Sequence, residues 1–209
     1  YFLPAAQEAG YMERIEDIVR RKTLELAASL AGSSHRNVHF GLNISADILS
    51  NSKAVESLHR QVTEIGLDPS LISLEILEAV MIDEDKAAPI KSNIAHLSEL
   101  GYFIELDDFG TGHSSISSLR DLSINRVKID RSFVSGVDAK SDLQKFTSAL
   151  INLAKSLDIS VLAEGVETEG ERAWLTEQGC DVIQGFLISK AVPATQLGAM
   201  ILKSNFGSH

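Results

Sequence analysis

The stretch that decides the fold is Ile104–Ser115, which reads IELDDFGTGHSS. Its first residues form two alternating sets, with Phe103, Glu105 and Asp107 on one face and Ile104, Leu106 and Asp108 on the other, which is typical of a β-strand. The Gly-Thr-Gly sequence that follows predicts a loop. Ser114 or Ser115 is then placed to cap the next helix. The stretch therefore predicts a strand, a loop and a helix in immediate succession.

Two adjacent carboxylates, Asp107 and Asp108, stand where this strand ends. Inside a strand they would point to opposite faces, but where the chain turns both can converge on one point. Side by side they repel, and the pKa of each would rise unless cations lie between them. Hard divalent cations are the usual solution, and two such ions sharing a carboxylate are typical of phosphoryl chemistry. The alternative is an Asx turn in which one Asp caps a helix.

Length and composition predict one large domain over residues 1–203, because the chain has 209 residues and a hydrophobic fraction of 44%. A net charge of -10 argues against a groove for polymeric nucleic acid, although a bound metal could still attract a phosphate-bearing ligand. The single cysteine, Cys180, excludes a disulfide framework and favours a reducing, cytoplasmic location. Because the chain starts at Tyr1, we expect a longer parent protein, which upstream segments could anchor to a membrane. Residues 204–209 resemble an added tail.

Helical and strand patterns alternate along the chain. The predicted helices are Met12–Leu30, Ala54–Ile65, Ala87–Leu100, Ile116–Leu122, Leu143–Leu157 and Glu169–Gln178. The predicted strands are Val38–Ser45, Leu71–Glu78, Phe103–Asp108, Arg126–Asp130, Ser160–Glu164 and Val182–Ile188. This alternation predicts an α/β domain with a mainly parallel sheet, and six strands would form most of a TIM-like (β/α)8 barrel. No Gly-x-Gly-x-x-Gly follows the first strand, which weakens the dinucleotide-binding alternative.

A polar residue lies near the carboxyl end of every predicted strand. These residues are Asn43, Glu75, Asp107 with Asp108, Lys128, Glu164 and Gln184. In a barrel those ends converge on one face, where the active sites of this architecture lie. The amide and carboxylate oxygens suit Mg²⁺ or Mn²⁺ better than zinc. Lys128 should keep its charge there and stabilise a developing phosphorane or orient a metal-bound hydroxide.

Three basic residues have simpler interpretations. Lys128 could instead form a buried salt bridge with Asp130 or another neighbour. His39 shares a strand face with Asn43 but lies deeper, so we expect a hydrogen-bonded core histidine. His113 is interpreted as a loop residue, because no second histidine stands at metal-ligand spacing.

The strand-end residues belong to motifs that together resemble the EAL domain family. The motifs are Asn43-x-Ser45, Glu75-x-x-Glu78, Asp107-Asp108-Phe109-Gly110-Thr111-Gly112, Lys128-Ile129-Asp130, Glu164-Gly165-Val166-Glu167 and Gln184-Gly185-Phe186. They occur in the family's order, and the resemblance extends from Phe2 to Pro193. EAL domains are bacterial phosphodiesterases that open cyclic di-GMP to the linear dinucleotide pGpG. The resemblance therefore implies this substrate and a TIM-like barrel.

The resemblance also implies a role for each motif residue. The implied ligands of two Mg²⁺ or Mn²⁺ ions are Asn43, Glu75, Asp107, Asp108 and Glu164. Lys128 would hold the attacking water and, with Asp108 and Glu164, carry the catalysis. Glu78 and Glu167 would support the loop after Asp108, and Gln184 and Phe186 would lie beside the metals and the substrate. By the same resemblance, a homodimer and regulatory or sensor domains on the parent chain are expected.

The sequence departs from the family pattern in three places. The Glu-Ala-Leu segment is absent, and we expect it, with a metal-binding Glu and two strands, upstream of Tyr1. If that segment is present, we expect the parent protein to be active. Residues 1–209 alone are expected to be inactive, and either unstable or self-associated. Leu77 stands where active members usually have Thr, and His113 replaces a usual Tyr.

Two other functions remain open on the sequence. One is an inactive EAL-type receptor that binds cyclic di-GMP and regulates a partner. The other is a different magnesium enzyme on a similar barrel, which stabilises an enolate through strand-end carboxylates. That enzyme would need a Lys or His base opposite the metals, and only Lys128 is placed to serve.

Overall fold

A six-stranded parallel sheet forms the centre of the fold. The computed structural model describes residues 3–31, 38–81, 84–111, 119–120 and 122–203. The strands are β1 Phe40–Asn43, β2 Ile72–Leu77, β3 Phe103–Phe109, β4 Arg126–Ile129, β5 Ser160–Ala163 and β6 Val182–Ile183. They lie in sequence order, and each is parallel to the next. The predicted parallel α/β sheet is confirmed.

Helices precede, connect and follow the strands. They are α1 Leu3–Glu8, α2 Met12–Ala31, α3 Ala46–Leu49, α4 Ser52–Glu64, α5 Glu84–Glu99, α6 Arg131–Val134, α7 Ser141–Ser156, α8 Glu169–Glu177 and α9 Ala194–Lys203. Five of the six predicted helices are present, with ends shifted by three residues at most. Most of the sixth, Ile116–Leu122, lies outside the described residues. The sequence also predicts a short helix within Tyr1–Gly10, where α1 lies. Helices α3, α6 and α9 were not predicted.

One face of the sheet packs into the hydrophobic core. On β2 this face carries Ile72, Leu74 and Ile76, and all three are fully buried together with helix residues such as Leu58 and Ile94. Alternate strand residues point to opposite faces, so this apolar set leaves the other face free for polar side chains. Burying each Leu or Ile contributes roughly 1.5–3 kcal/mol. The core therefore fixes which strand residues face away from the helices.

Local side-chain caps define where several helices begin. Asn51 accepts a hydrogen bond from the backbone N–H of Lys53 at the start of α4. Asp130 does the same for Ser132 at the start of α6. Such caps satisfy backbone donors that have no partner within the helix. Since α6 begins directly after β4, the Asp130 cap turns the chain sharply at the strand's carboxyl end.

Two predictions from the sequence are wrong. The strand predicted over Val182–Ile188 ends at Ile183, because the following residues form a turn in which the N–H of Ile188 binds the carbonyl of Gly185. His39 is exposed and not buried, and its ring lies edge-on to Phe103 at 5.6 Å. His39 stands on the polar face of the sheet, where the helices do not cover it.

None of the helices in the described ranges is sufficiently long and apolar to cross a membrane.

Candidate active site

The polar face of the sheet gathers the residues that end its strands. The Cα of Asn43 on β1 is paired with that of Glu75 on β2, and Leu77 is paired with Asp107 on β3. Lys128 on β4 and Glu164, directly after β5, continue the series. Because parallel strands bring their carboxyl ends to one edge, these side chains approach each other.

Lys128 lies at the centre of this group. Its Nζ is 2.8 Å from Oε2 of Glu75, 2.8 Å from Oε1 of Glu164 and 3.2 Å from Oδ1 of Asp107. The side chain of Lys128 is only 5% exposed, so water does little to screen these contacts. Three of the predicted ligands and the predicted catalytic lysine thus form one cluster. Lys128 does form buried salt bridges, as the alternative interpretation expected, but with Glu75, Asp107 and Glu164. Asp130 instead caps α6.

The carboxylates keep Lys128 charged. Burial alone would lower the pKa of its ammonium, but hydrogen bonds to Glu164 and Glu75 outweigh burial and raise the pKa above its ordinary value. The pKa of Glu164 is raised by burial, and Lys128 opposes that rise. This raised pKa agrees with the prediction that Lys128 stays charged and donates hydrogen bonds at neutral pH.

Asp108 turns towards the same region through an unusual backbone conformation. Its φ is 58°, and the pairing of β3 with β4 shifts between Leu106 and Phe109, as in a β-bulge. Burial raises the pKa of Asp108, the charges of Asp107 and Asp130 raise it further, and Lys128 lowers it. The charge of Asp107 thus acts on Asp108 in the direction that the sequence predicted for this carboxylate. The shift in pairing interrupts the regular alternation of side chains at Asp108.

A second ion pair lies beneath this cluster on the same face. Oε1 of Glu105 is 2.9 Å from Nη1 of Arg126, and the guanidinium also lies 4.8 Å from the ring centroid of Phe103. Glu105 is 4% exposed. This pair was not predicted from the sequence. The signal for it was the position of Glu105, which precedes Asp107 by two residues and so shares its face.

Gly41 provides the space for Glu75. A Cβ on Gly41 would overlap Oε1 of Glu75, because the glutamate side chain leans across β1. Gly41 itself is exposed, so no packing in the core requires a glycine there. Gly41 therefore leaves room for the carboxylate of Glu75, a role that was not predicted from the sequence either.

The loops around the cluster hold the other predicted site residues. Glu78 is 3% exposed and accepts a hydrogen bond from Oγ1 of Thr111 at 3.4 Å, next to the loop that follows β3. Glu167 pairs with Arg131 at 2.7 Å. The backbone of Gln184 forms two hydrogen bonds near the carboxyl end of β5. Its N–H donates to the carbonyl of Ala163, and its carbonyl accepts from the N–H of Val166. Residues 112–118, which include His113, lie outside the described ranges.

Phe186 and Asn43 are two exposed residues that lie after β6 and at the end of β1. Phe186 is 58% exposed after β6, with Nζ of Lys190 5.5 Å from its ring centroid. Asn43 is exposed at the end of β1, beside Glu75. Both are available to a ligand that lies over the strand ends.

The cluster fits a divalent cation by chemistry. Three carboxylates face one ammonium, so the group carries two excess negative charges, and all its candidate donors are oxygen atoms suited to Mg²⁺ or Mn²⁺. In the described ranges no three acidic, His or Cys side chains are already arranged around a common metal position. The carboxylates instead converge on Lys128, so metal binding would require them to reorient.

Comparison with known proteins assigns the family. The EAL domain family model matches residues 1–191. This chain belongs to the EAL domain family. It is 35% identical over 192 residues to the "Probable cyclic di-GMP phosphodiesterase PdeB" of Escherichia coli, covering 92% of this chain and 36% of PdeB. It is 34% identical over 201 residues to the "Bifunctional diguanylate cyclase/cyclic di-GMP phosphodiesterase MucR" of Pseudomonas aeruginosa, covering 96% and 29%.

The fold of this EAL domain also matches solved structures. The PaMucR phosphodiesterase in complex with c-di-GMP superimposes with a TM-score of 0.86 at 33% identity, over 94% of this chain and 78% of that chain. The predicted TIM-like barrel of the EAL type is therefore confirmed as the architecture to which these six strands belong. The chain spans about a third of the length of the curated relatives named above.

Proposed function

We propose that this EAL domain hydrolyses cyclic di-GMP to linear pGpG with the help of two divalent cations, Mg²⁺ or Mn²⁺. The observation that carries the proposal is the convergence of Glu75, Asp107 and Glu164 on Lys128 at the strand ends. Relatives that are named cyclic di-GMP phosphodiesterases support the choice of substrate. Asn43, Glu75, Asp107, Asp108 and Glu164 would hold the cations. Bound there, the cations would supply Lewis acidity and lower the pKa of a water molecule.

The chain's own residues then orient the reaction. Because Lys128 remains protonated, its Nζ acts as a donor and not as a general base. It can hold the oxygen of the attacking water or offset negative charge that builds on the phosphorus oxygens. Glu164 stands 2.8 Å from Nζ, and burial raises its pKa, so we assign it as a proton acceptor. Phe186 and Gln184 would lie beside the substrate.

The proposal is tested by incubating the full-length protein with cyclic di-GMP and following pGpG by chromatography and mass spectrometry. We expect turnover with Mg²⁺ or Mn²⁺, none after chelation, and inhibition by Ca²⁺, whose longer bonds and looser geometry would misplace the water. A calcium-supported rate equal to the magnesium rate would contradict two-metal catalysis. No turnover with any of these ions would contradict the enzyme proposal.

A second candidate, a receptor that binds cyclic di-GMP without cleaving it, is favoured by Leu77. This side chain is 46% exposed on the polar face, and its Cα is paired with that of Asp107. An apolar residue there could contact the bound nucleotide or exclude water. Calorimetric binding of cyclic di-GMP without pGpG formation would select the receptor. If a Leu77→Thr variant then gained turnover, Leu77 would be the cause.

We also propose that the parent protein is a homodimer with regulatory or sensor domains. The relatives are about three times as long as the matched region, which leaves room for further domains. Light scattering of the full-length protein tests the dimer.

A further inference from the structure

Glu171, in the first turn of α8, is a buried carboxylate that ties two separate segments together. Its Oε1 accepts a hydrogen bond from the N–H of Gly136 at 2.8 Å. Its Oε2 accepts from the N–H of Glu167 at 2.8 Å and of Thr168 at 3.0 Å. The residue is 4% exposed, so water competes little for these bonds. A helix cap needs only the contacts on Oε2, and the bond to Gly136 is additional.

The two tied segments follow the two strands that carry Lys128 and Glu164. Gly136 lies just beyond α6, the short helix that follows β4 and Lys128. Glu167 and Thr168 belong to the turn that begins with Glu164 after β5. A bond between these segments therefore restrains the carboxyl ends of β4 and β5 relative to each other.

Arg131 reinforces the same connection. Its aliphatic carbons pack where a Cβ of Gly165 would lie, and its guanidinium pairs with Glu167 at 2.7 Å. Gly165 has a φ of 70°, so the turn after Glu164 adopts a conformation that other residues rarely accept. Arg131 and Glu167 are, however, half-exposed, and an exposed pair restrains geometry weakly. The buried bonds of Glu171 are the stronger restraint.

We propose that Glu171 is a positioning residue that fixes Glu164 beside Lys128 by joining the segments after β4 and β5. The inference deepens the proposed function, since it concerns the same candidate metal site. Glu171 does not touch that site and acts through the turn at residues 164–168. Loosening this turn leaves Glu164 free to move away from Nζ of Lys128 and from any cation held there.

Two substitutions distinguish a residue that joins the two segments from one that only caps α8. In Glu171→Gln one acceptor oxygen becomes an NH₂ group, which must face a backbone N–H on one side and cannot bind it. Glu171→Asp keeps the charge near the helix start but is one methylene shorter, so it cannot reach both segments at once. Glu169→Gln is the matched control: it removes a carboxylate from the same helical turn, where Glu169 forms an exposed surface pair with Arg172.

The first measurement is Mn²⁺ affinity of the full-length protein by isothermal titration calorimetry, at temperatures where each variant is fully folded. We expect Glu171→Gln and Glu171→Asp to bind Mn²⁺ about tenfold more weakly, the usual effect of losing a residue that orients a metal ligand. Glu169→Gln should stay within twofold of wild type. If the Glu171 variants lose only thermal stability and keep wild-type affinity, Glu171 is a capping residue and the proposal is wrong.

The second measurement does not depend on metal or activity. In crystal structures of the metal-free variants, the distance between Nζ of Lys128 and Oε1 of Glu164 should exceed its 2.8 Å separation in the unsubstituted chain. Hydrogen exchange at Gly136 and Glu167 should become faster in the Glu171 variants only. If the distance stays unchanged in Glu171→Asp, the proposal is overturned. If the wild type binds no Mn²⁺, the proposed function fails, while this distance still decides the role of Glu171.

Discussion

Glu75 and Glu105 occupy directly paired positions on neighbouring strands, yet each carboxylate has its own cation. Glu75 contacts Lys128 at 2.8 Å, and Glu105 contacts Arg126 at 2.9 Å. Like charges directly opposite each other destabilise a sheet. Because each glutamate pairs with a different basic residue, the repulsion between the two carboxylates is offset. This pairing also leaves Lys128 free for the carboxylates at the strand ends.

Asp107→Asn should abolish turnover with little effect on folding. The Asn carbonyl can still accept the bonds that Oδ1 now receives from Lys128 and from the N–H of Asp108, but the charge is lost. Loss of one preorganised electrostatic contact commonly costs ~10²- to 10³-fold in rate. Steady-state kinetics on the full-length protein measure this. Asp142→Asn, at an exposed surface pair, is the control. A variant that keeps a tenth of wild-type activity would contradict the role of Asp107.

Glycine and alanine substitutions of Asp108 should differ in stability but not in activity. Its φ of 58° costs an L-residue roughly 1 kcal/mol, a cost that glycine does not have. We therefore expect Asp108→Gly to be about 1 kcal/mol more stable towards urea than Asp108→Ala. Both variants should be equally inactive, because both lack the carboxylate. Equal stabilities would show that the left-handed backbone is relaxed in both.

Gly41→Ala should displace the carboxylate of Glu75 while leaving the core intact. The new methyl group overlaps Oε1 of Glu75, which can move because it ends a flexible side chain. We expect Mn²⁺ affinity to fall about tenfold, as for loss of a ligand's orientation, with a small change in melting temperature. Gly198→Ala, whose methyl group would meet Leu30 at an ordinary 3.6 Å, is the control. Unchanged affinity would mean that Glu75 is not a ligand in this pose.

Acid should reduce the stability contributed by Glu171. Burial alone would raise the pKa of this carboxyl, but hydrogen bonds from Gly136, Glu167 and Thr168 outweigh it and hold the pKa below the usual 4.5. A lowered pKa gives stability that is present above the unfolded value and is lost as the pH falls through the folded one. The stability difference between wild type and Glu171→Gln should therefore shrink below about pH 4.5. Urea titrations at pH 7 and at a pH of about 3.5 measure it, and a constant difference would contradict the prediction.

The fold was predictable because its local patterns agree with each other. The alternation of strand and helix patterns predicted the parallel sheet, and the polar residues at the strand ends predicted that Lys128 and Glu164 would converge. The strand predicted up to Ile188 failed for a tertiary reason. The N–H of Leu187 binds the carbonyl of Val166 and bends the chain after β6. Apolar content alone does not reveal such a bond.

The supporting residues of the site were not predictable for a related reason. Thr168 and Glu171 have the spacing of an ordinary capping box. The additional hydrogen bond from the N–H of Gly136 comes from a distant segment and is not visible in that spacing. Gly41 stands in a regular strand pattern, and only the direction of the Glu75 side chain explains it. Local sequence predicts which side chains reach the strand ends, whereas long-range contacts decide what holds them.

The Lys128 cluster has a kinetic consequence, because its members are distant along the chain. Glu75 and Lys128 are 53 residues apart, and Glu164 follows on yet another strand. Contacts of such high sequence separation form slowly and late in folding, after the loop-closure entropy has been overcome. A partly folded or nascent chain would therefore lack the cluster altogether. A ligand that binds only the completed sheet would selectively stabilise the molecules that have finished folding.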